Sequence, residues 1–235
     1  QCAARDVAIH FNTWVEDADV TALNPDVVIV ATGGMPNLEL FETGTEAEHV
    51  VSAWDMVAGD VKPAQNILIY DESGDHPALQ AAETAAFAGS SVEIMTPDRT
   101  FAPEVMAMNL VPYMRSLQDR DVTFTVTRRL LGVTRAGNKL RATIGTDYSD
   151  YTETKNYDQV VVNYGTLPLD DLYHDLKPLS SNGGAVDHNA LIAGKPQTVM
   201  RNDQGSFQLF RIGDAVSARN THAAIYDALR LVKDL

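Results

Sequence analysis

Two stretches of the chain share one design. Residues 27–36 read VVIVATGGMP and residues 159–168 read QVVVNYGTLP. In each, an apolar β-forming run breaks off into small or polar residues, then glycine, then proline. Glycine tolerates positive φ and proline donates no ladder hydrogen bond, so each strand has to end abruptly. A plain turn explains that, and so does a nucleotide lying against the strand end. The interval between the two copies is about the size of one nucleotide-binding domain. The chain is therefore expected to leave an outer domain near residue 60 and to re-enter it near 157. That gives an outer domain of residues 1–60 and 157–235 and an inserted domain of residues 61–156.

Further β-rich runs at 66–70, 91–95, 122–126 and 207–212 alternate with helical patterns. Residues 77–88 place Leu79, Ala82, Ala86 and Phe87 near one face, with Gly89 as the stop. Met114 and Leu117 mark another helix ahead of a turn at 119–121. From residue 221 onward, Ile225, Ala228, Leu229 and Val232 fall at the spacing of an amphipathic helix. Such alternation reads as α/β with a largely parallel sheet. Residues 129–145 differ, because two β-like runs flank Ala136-Gly137-Asn138-Lys139, a hairpin signal. Residues 146–158 are polar and turn-rich and are expected to be exposed. The chain opens QCAARDVAIHF, with no initiator Met and a strand-like VAIHF almost at once, and so reads as an excerpt from something longer.

Composition narrows the function. Lys and Arg number 18 against 32 Asp and Glu, a net charge of −14. A nucleic-acid or anionic-membrane partner needs a basic face, so neither is expected. Apolar runs fall far short of a membrane span, and no signal-peptide pattern opens the chain. The single cysteine, Cys2, allows no internal disulfide, CxxC redox pair or cysteine metal cluster. No metal site is expected, and a reduced, cytoplasmic setting is the default.

Three stretches together resemble a known family: PDVVIVATGGMP at 25–36, YDQVVVNYGTLP at 157–168 and LFRIGDAVSARNTHAAIYDALRL at 209–231. They look like the two-dinucleotide-domain flavoproteins. Within that group, Gly213-Asp214-Ala215 followed by ARNTHAAIYDALR is most similar to the C-terminal half of the multidomain NADH:flavin oxidoreductases. These include trimethylamine dehydrogenase, 2,4-dienoyl-CoA reductase and the demethylases of N-methylated amino acids. The resemblance implies a Rossmann-like fold truncated at its N-terminus. A NAD(P)-type domain would be inserted into an FAD- or ADP-type domain whose first βαβ unit is missing. It also implies a parent enzyme whose N-terminal (β/α)8 barrel carries FMN and a 4Fe–4S cluster. In the reductases this region binds FAD and NADPH. In trimethylamine dehydrogenase the corresponding site holds ADP, and electrons leave to a separate flavoprotein.

By the same resemblance, the family's Gly-Asp carries over onto Gly213 and Asp214, with Ala215 completing the motif. The glycine lets the backbone approach a flavin nucleotide, and the carboxylate accepts from a ribityl hydroxyl. The helix that follows aims its N-terminal N–H groups at the ligand. The plain alternative is a strand-end turn with Asp214 as the helix N-cap. Arg219 and His222 lie near the start of that helix, either within reach of a phosphate or flavin edge or merely solvated and tucked against the sheet. Thr32-Gly33 and Gly165-Thr166 form the crossings between domains, as contacts to the nucleotide or as hinges; Asn163-Tyr164-Gly165 departs from the family's ATG. Tyr226 and Asp227 read as helix-surface residues. The expected cofactor-binding set is Thr32, Gly33, Gly165, Gly213, Asp214, Ala215 and His222, with no catalytic residue in this region.

The middle of the chain departs from the family's pyridine-nucleotide pattern. NILIYDESGDHPALQAAE at 66–83 stands where strand, G-x-G-x-x-G and helix are needed. Aligned on Pro77-Ala78, the three glycine positions hold Gly74, His76 and Leu79. A His and a Leu spoil the approach to a pyrophosphate and the close helix packing. Asp71, Glu72 and Asp75 add negative charge there, against a helix-dipole attraction of only about 0.3–1 kcal/mol. Arg99, after the next strand, is placed for a 2′-phosphate or is simply solvated. NAD(P)H binding is therefore not expected. The reading that follows is the nucleotide-binding region of an iron–sulfur flavoprotein, an amine dehydrogenase or N-demethylase, that binds FAD or ADP. Its partners would be its own barrel and an electron-carrier flavoprotein. An NAD(P)H-fed reductase of the dienoyl-CoA type and a non-redox ADP-binding domain are the alternatives. Substrate, electron acceptor and oligomeric state, a homo-oligomer included, stay open.

Overall fold

The computed structural model describes residues 5, 7–38 and 49–233, and Cys2 lies outside them. In chain order the elements begin with α1 (Asp17–Ala22), β1 (Val27–Val30), β2 (Gly34–Pro36), β3 (Val51–Ser52), α2 (Ala53–Ala58), β4 (Asn66–Asp71), α3 (His76–Phe87) and β5 (Ser91–Met95). Then come α4 (Ala107–Gln118), β6 (Thr123–Thr125), β7 (Arg129–Ala136), β8 (Lys139–Gly145), β9 (Glu153–Tyr157), β10 (Gln159–Asn163) and β11 (Thr166–Pro168). The last are α5 (Asp171–Leu176), α6 (His188–Ala193), β12 (Gln208–Arg211) and α7 (Thr221–Val232). No helix among the described residues is long and apolar enough to cross a membrane.

The chain divides into two compact units, residues 1–35 with 167–235 and residues 36–166. The sequence places these exchanges near 60 and 157; the structure has them at the glycine-proline strand ends themselves. The reason is the sheet of the second unit. Its parallel strands run in the order β3-β10-β4-β5-β6, so β10 sits between β3 and β4 and draws β3 and α2 in with it.

Residues of β4 alternate between two cores, as a strand covered on both faces must. Ile67 and Ile69 face the helices, packing with Met56 of α2, the alanines of α3 and Leu117 of α4. Leu68 and Tyr70 point the other way, onto the antiparallel sheet β7-β8-β9, where they meet Leu130, Val133, Ile144 and Tyr157. Six of the twelve residues of α3 are buried Ala or Leu, small enough for the helix to lie close on the sheet. Phe87 is not one of them. It stands about 100° round the helix from Ala86, is 62% exposed, and carries the Arg120 guanidinium 3.5 Å over its ring.

The hairpin at 129–145 is β7 and β8, joined at Gly137-Asn138. The polar stretch expected to be exposed holds a strand instead: β9 pairs with β8, and Tyr157 is buried. Its inward positions are polar because they serve Glu93 of β5. Glu93 accepts hydrogen bonds from Tyr157 Oη at 2.7 Å, Thr125 Oγ1 at 2.6 Å and Lys155 Nζ at 3.0 Å. Burial pushes the Glu93 carboxyl up, but those three donors outweigh it and hold it below the ordinary range.

In the first unit, β1 and β12 pair in parallel from Val27↔Gln208 to Val30↔Arg211. Their core is Val20, Val30, Tyr173, Leu176, Phe207, Leu209 and Ala215. Residues 7–16 form no strand, in contrast to the strand-like reading of VAIHF. The stripe of α7 is helical as its spacing demands, yet Ile225, Leu229 and Val232 are 63%, 60% and 54% exposed. Periodicity reports that a helix has an apolar face, not that the described residues cover it. The buried Asn182 closes the side of β12 away from β1: its Oδ1 accepts from Leu209 N and its Nδ2 donates to Leu209 O, both at 2.9 Å.

Candidate functional site

Because β1 and β12 are parallel and in register at Val30↔Arg211, their carboxyl ends open at the same level. Ligands of open α/β sheets bind outside such ends. Past β1 the chain runs through Ala31 to Gly33, whose φ of +75° a side chain would resist. Past β12 it runs into a 3-10 turn at Gly213–Ala215 and then to α7. Gly213 has φ +61°, and a Cβ there would meet Ala224 Cβ at 3.4 Å, so glycine lets α7 close on the turn. Between them lies a cleft of about 320 Å³ lined by Gly33, Gly213, Asp214, Arg219, Asn220 and Thr221, among others. Asn220 Oδ1 caps α7 by accepting from Ala223 N at 2.9 Å, so the positive end of the helix dipole sits at the cleft.

The expected site residues divide. Gly33, Gly213 and Asp214 line the cleft. Ala215 does not; it is fully buried in the core of the first unit. His222 is exposed on the first turn of α7 and is not part of the lining. Thr32 donates its hydroxyl to the Leu169 carbonyl, while Leu169 N donates to Gly33 O at 3.0 Å, so Thr32 ties the two crossings together. Gly165 belongs to the other unit, with φ +84° and its carbonyl accepting from Asn37 N at 3.0 Å. The N-cap of α7 is Asn220 rather than Asp214, whose Oδ1 accepts from Arg219 N at 3.3 Å.

Asp227 is the residue that sequence reasoning missed. Its carboxylate accepts from Gly213 N at 3.2 Å and from the Arg219 guanidinium, and that bond holds Arg219 still more firmly protonated. No local signal reveals this, since Arg219 lies outside the helix and its side chain has to fold back two turns to meet Asp227.

The glycine turn of the second unit is filled from within. Asp71 Oδ1, at the end of β4, accepts from Ser73 N at 3.2 Å, Gly74 N at 3.0 Å and Asn163 Nδ2 at 3.0 Å. Asn163 Nδ2 also donates to Asp75 Oδ1 at 2.7 Å. Burial pushes the Asp71 carboxyl up from 3.8 to about 6 despite these donors. From outside, Pro103 covers the turn: a Cβ on Gly74 would stand 2.6 Å from Pro103 Cδ. Glu104 N donates to Gly74 O at 3.0 Å. Amides that face a pyrophosphate in a working dinucleotide loop are here spent on a carboxylate of the chain itself.

Together, the elements define a fold class: an α/β protein with the Rossmann-like fold of FAD/NAD(P)-binding flavoproteins, one compact unit being inserted in the sequence of the other. No family model matches the chain. Two relatives give it a more particular setting. The chain is 63% identical over 235 residues, its whole length, to the protein named "Probable N-methylproline demethylase" of Rhizobium meliloti (strain 1021), covering 34% of that protein. It is 38% identical over 243 aligned residues to the N,N-dimethylglycine/sarcosine dehydrogenase of Chromohalobacter salexigens, covering all of this chain and 35% of that one. The chain thus spans about a third of the length of these relatives. Among solved structures, 2-naphthoyl-CoA reductase in complex with 2-naphthoyl-CoA superposes with a TM-score of 0.76 at 20% identity, over 100% of this chain and 30% of that one. The resemblance carried by the three sequence stretches is borne out, as is the α/β flavoprotein fold.

Proposed function

We propose that the chain is the nucleotide-binding region of a flavin-dependent oxidoreductase that acts on N-methylated amino acids, with an FAD or ADP moiety in the cleft of the first unit. The observation that carries this is the 63% identity, over the whole chain, to a protein named as an N-methylproline demethylase. The cleft fits such a group. A Cβ on Gly33 would meet no atom within 4 Å, so that wall is open, and Gly213 keeps bare backbone at the opposite wall. Its volume of about 320 Å³ suits part of a dinucleotide, being near the lower end of the usual pocket range of roughly 300–1,000 Å³. A flavin, when bound, supplies hydride and one-electron chemistry. Residues of this chain bind and orient: Asp214 offers a carboxylate to a ligand hydroxyl, and the first amides of α7 face its charge.

The remaining parts of the proposal lie outside this chain. A 4Fe–4S cluster takes four cysteine thiolates and the chain has one cysteine, so the cluster and FMN would belong to a barrel domain of the longer protein. Electrons would pass from there to a carrier flavoprotein. The second unit acts as scaffold, since its glycine turn is occupied by Asp71 and Pro103.

The test is an anaerobic titration of the full-length protein, first with NADH and NADPH and then with an N-methylated amino acid, following flavin absorbance. Bleaching by the amino acid alone is expected. Rapid bleaching by either pyridine nucleotide would overturn the scaffold reading and make this a nucleotide-driven reductase.

A further inference from the structure

We infer that Asp227 is an internal counter-anion of the cleft, holding Arg219 and the Gly213 amide in a clasp that an anionic nucleotide takes over. This rests on the nucleotide reading of the cleft given above. Arg219 precedes α7 and Asp227 lies two turns into it, yet the guanidinium folds back to hold both carboxylate oxygens, Nη1 to Oδ1 at 3.3 Å and Nη2 to Oδ2. The same Oδ2 accepts from Gly213 N at 3.2 Å. A bond from Arg219 N to Asp214 Oδ1 at 3.3 Å closes the connection from the turn to the helix.

The chemistry of the cleft makes this arrangement consequential. Of the described residues that line it, Arg219 is the one cation and Asp214 the one anion, with Asp227 just behind them. With the guanidinium held by Asp227, a diphosphate meets a net negative site. It gains a cation only by taking Arg219 from Asp227. Both partners keep water access, the side chains of Arg219 and Asp227 being 39% and 25% exposed, and pairs of that kind hold weakly. A phosphate offers the guanidinium the same two-point contact with more charge. The exchange is therefore downhill for a diphosphate and without effect for an uncharged nucleoside. Asp227 thus weakens the binding of a charged nucleotide and leaves that of an uncharged nucleoside as it is.

The experiment is calorimetric titration of ADP and of adenosine into nucleotide-stripped full-length protein, and into its Asp227→Asn, Arg219→Gln and doubly substituted forms. Asn keeps an acceptor for Gly213 N, and thermal melts confirm that each form is folded. Asp227→Asn should bind ADP about two- to fivefold more tightly, with adenosine unchanged. Arg219→Gln should bind ADP more weakly, and adding Asp227→Asn to it should change nothing. An equal gain from Asp227→Asn in both backgrounds would mean simple through-space repulsion and overturn the clasp. So would weaker or unaltered ADP binding by Asp227→Asn while the unsubstituted protein binds ADP. If the unsubstituted protein does not bind ADP, the nucleotide reading of the cleft falls, and the clasp with it.

Discussion

Asp71 should make the protein less stable as the solution becomes less acidic, against the usual trend for carboxylates. Its carboxyl is buried and pushed from 3.8 to about 6, so between those values the folded chain holds a proton that the unfolded chain has released. A raised carboxyl stabilises the fold fully below the unfolded pKa, and that contribution is lost as pH rises through the folded one. At about 1.36 kcal/mol per pH unit the whole effect is about 3 kcal/mol, of which about 2 kcal/mol falls between pH 4.5 and 7.5. Other carboxylates titrate in the same window, so the comparison is with Asp71→Asn, which cannot ionise. Urea denaturation at pH 4.5 and 7.5 should show the variant gaining about 2 kcal/mol on the unsubstituted protein over that interval. A difference between the two proteins that does not change with pH would refute the argument. It would mean that the Ser73, Gly74 and Asn163 donors offset the burial, leaving the carboxylate at ease in its turn.

Three further outcomes follow from the packing. Gly74→Ala puts a Cβ 2.6 Å from Pro103 Cδ at a φ of +71°, combining overpacking with left-handed strain; thermal melts should show a loss of about 2–4 kcal/mol. Asn182→Ala leaves the N–H and C=O of Leu209 without their 2.9 Å partners inside the first unit, and should cost about 2–4 kcal/mol by chemical denaturation. Glu93, held below the ordinary carboxylate range, should stabilise the fold above its unfolded pKa and lose that contribution as pH falls through the folded value. Glu93→Gln should flatten that acid limb of the stability curve, read by denaturation midpoints between pH 3 and 5.

What the sequence determined by itself was local. β1, β5 and β10 occupy the runs read as strands, α3 falls within a residue of its expected bounds, α7 begins at the expected residue, and the hairpin turns at its glycine. Those are decided by side-chain periodicity and by the φ that Gly and Pro allow, which neighbours in sequence supply. The cleft was legible through Gly33, Gly213 and Asp214 for the same reason: bare backbone at a strand end is a property of the residues there. Only the tertiary structure decided where the remaining groups go. Thr32 went to Leu169, Ala215 into the core, and His222 out to solvent, although all three sit beside the motif. β9 was hidden because its inward residues are polar, and their partner Glu93 lies 62 and 64 residues away along the chain. Asp227 was hidden because a helix position says which way a side chain leaves, not what has folded back to meet it. The Asp71 carboxylate, lastly, looks from sequence like charge repelling a phosphate. In the folded chain it accepts hydrogen bonds from Ser73 N and Gly74 N of its own turn, because buried amides take whichever acceptor the packing brings within reach.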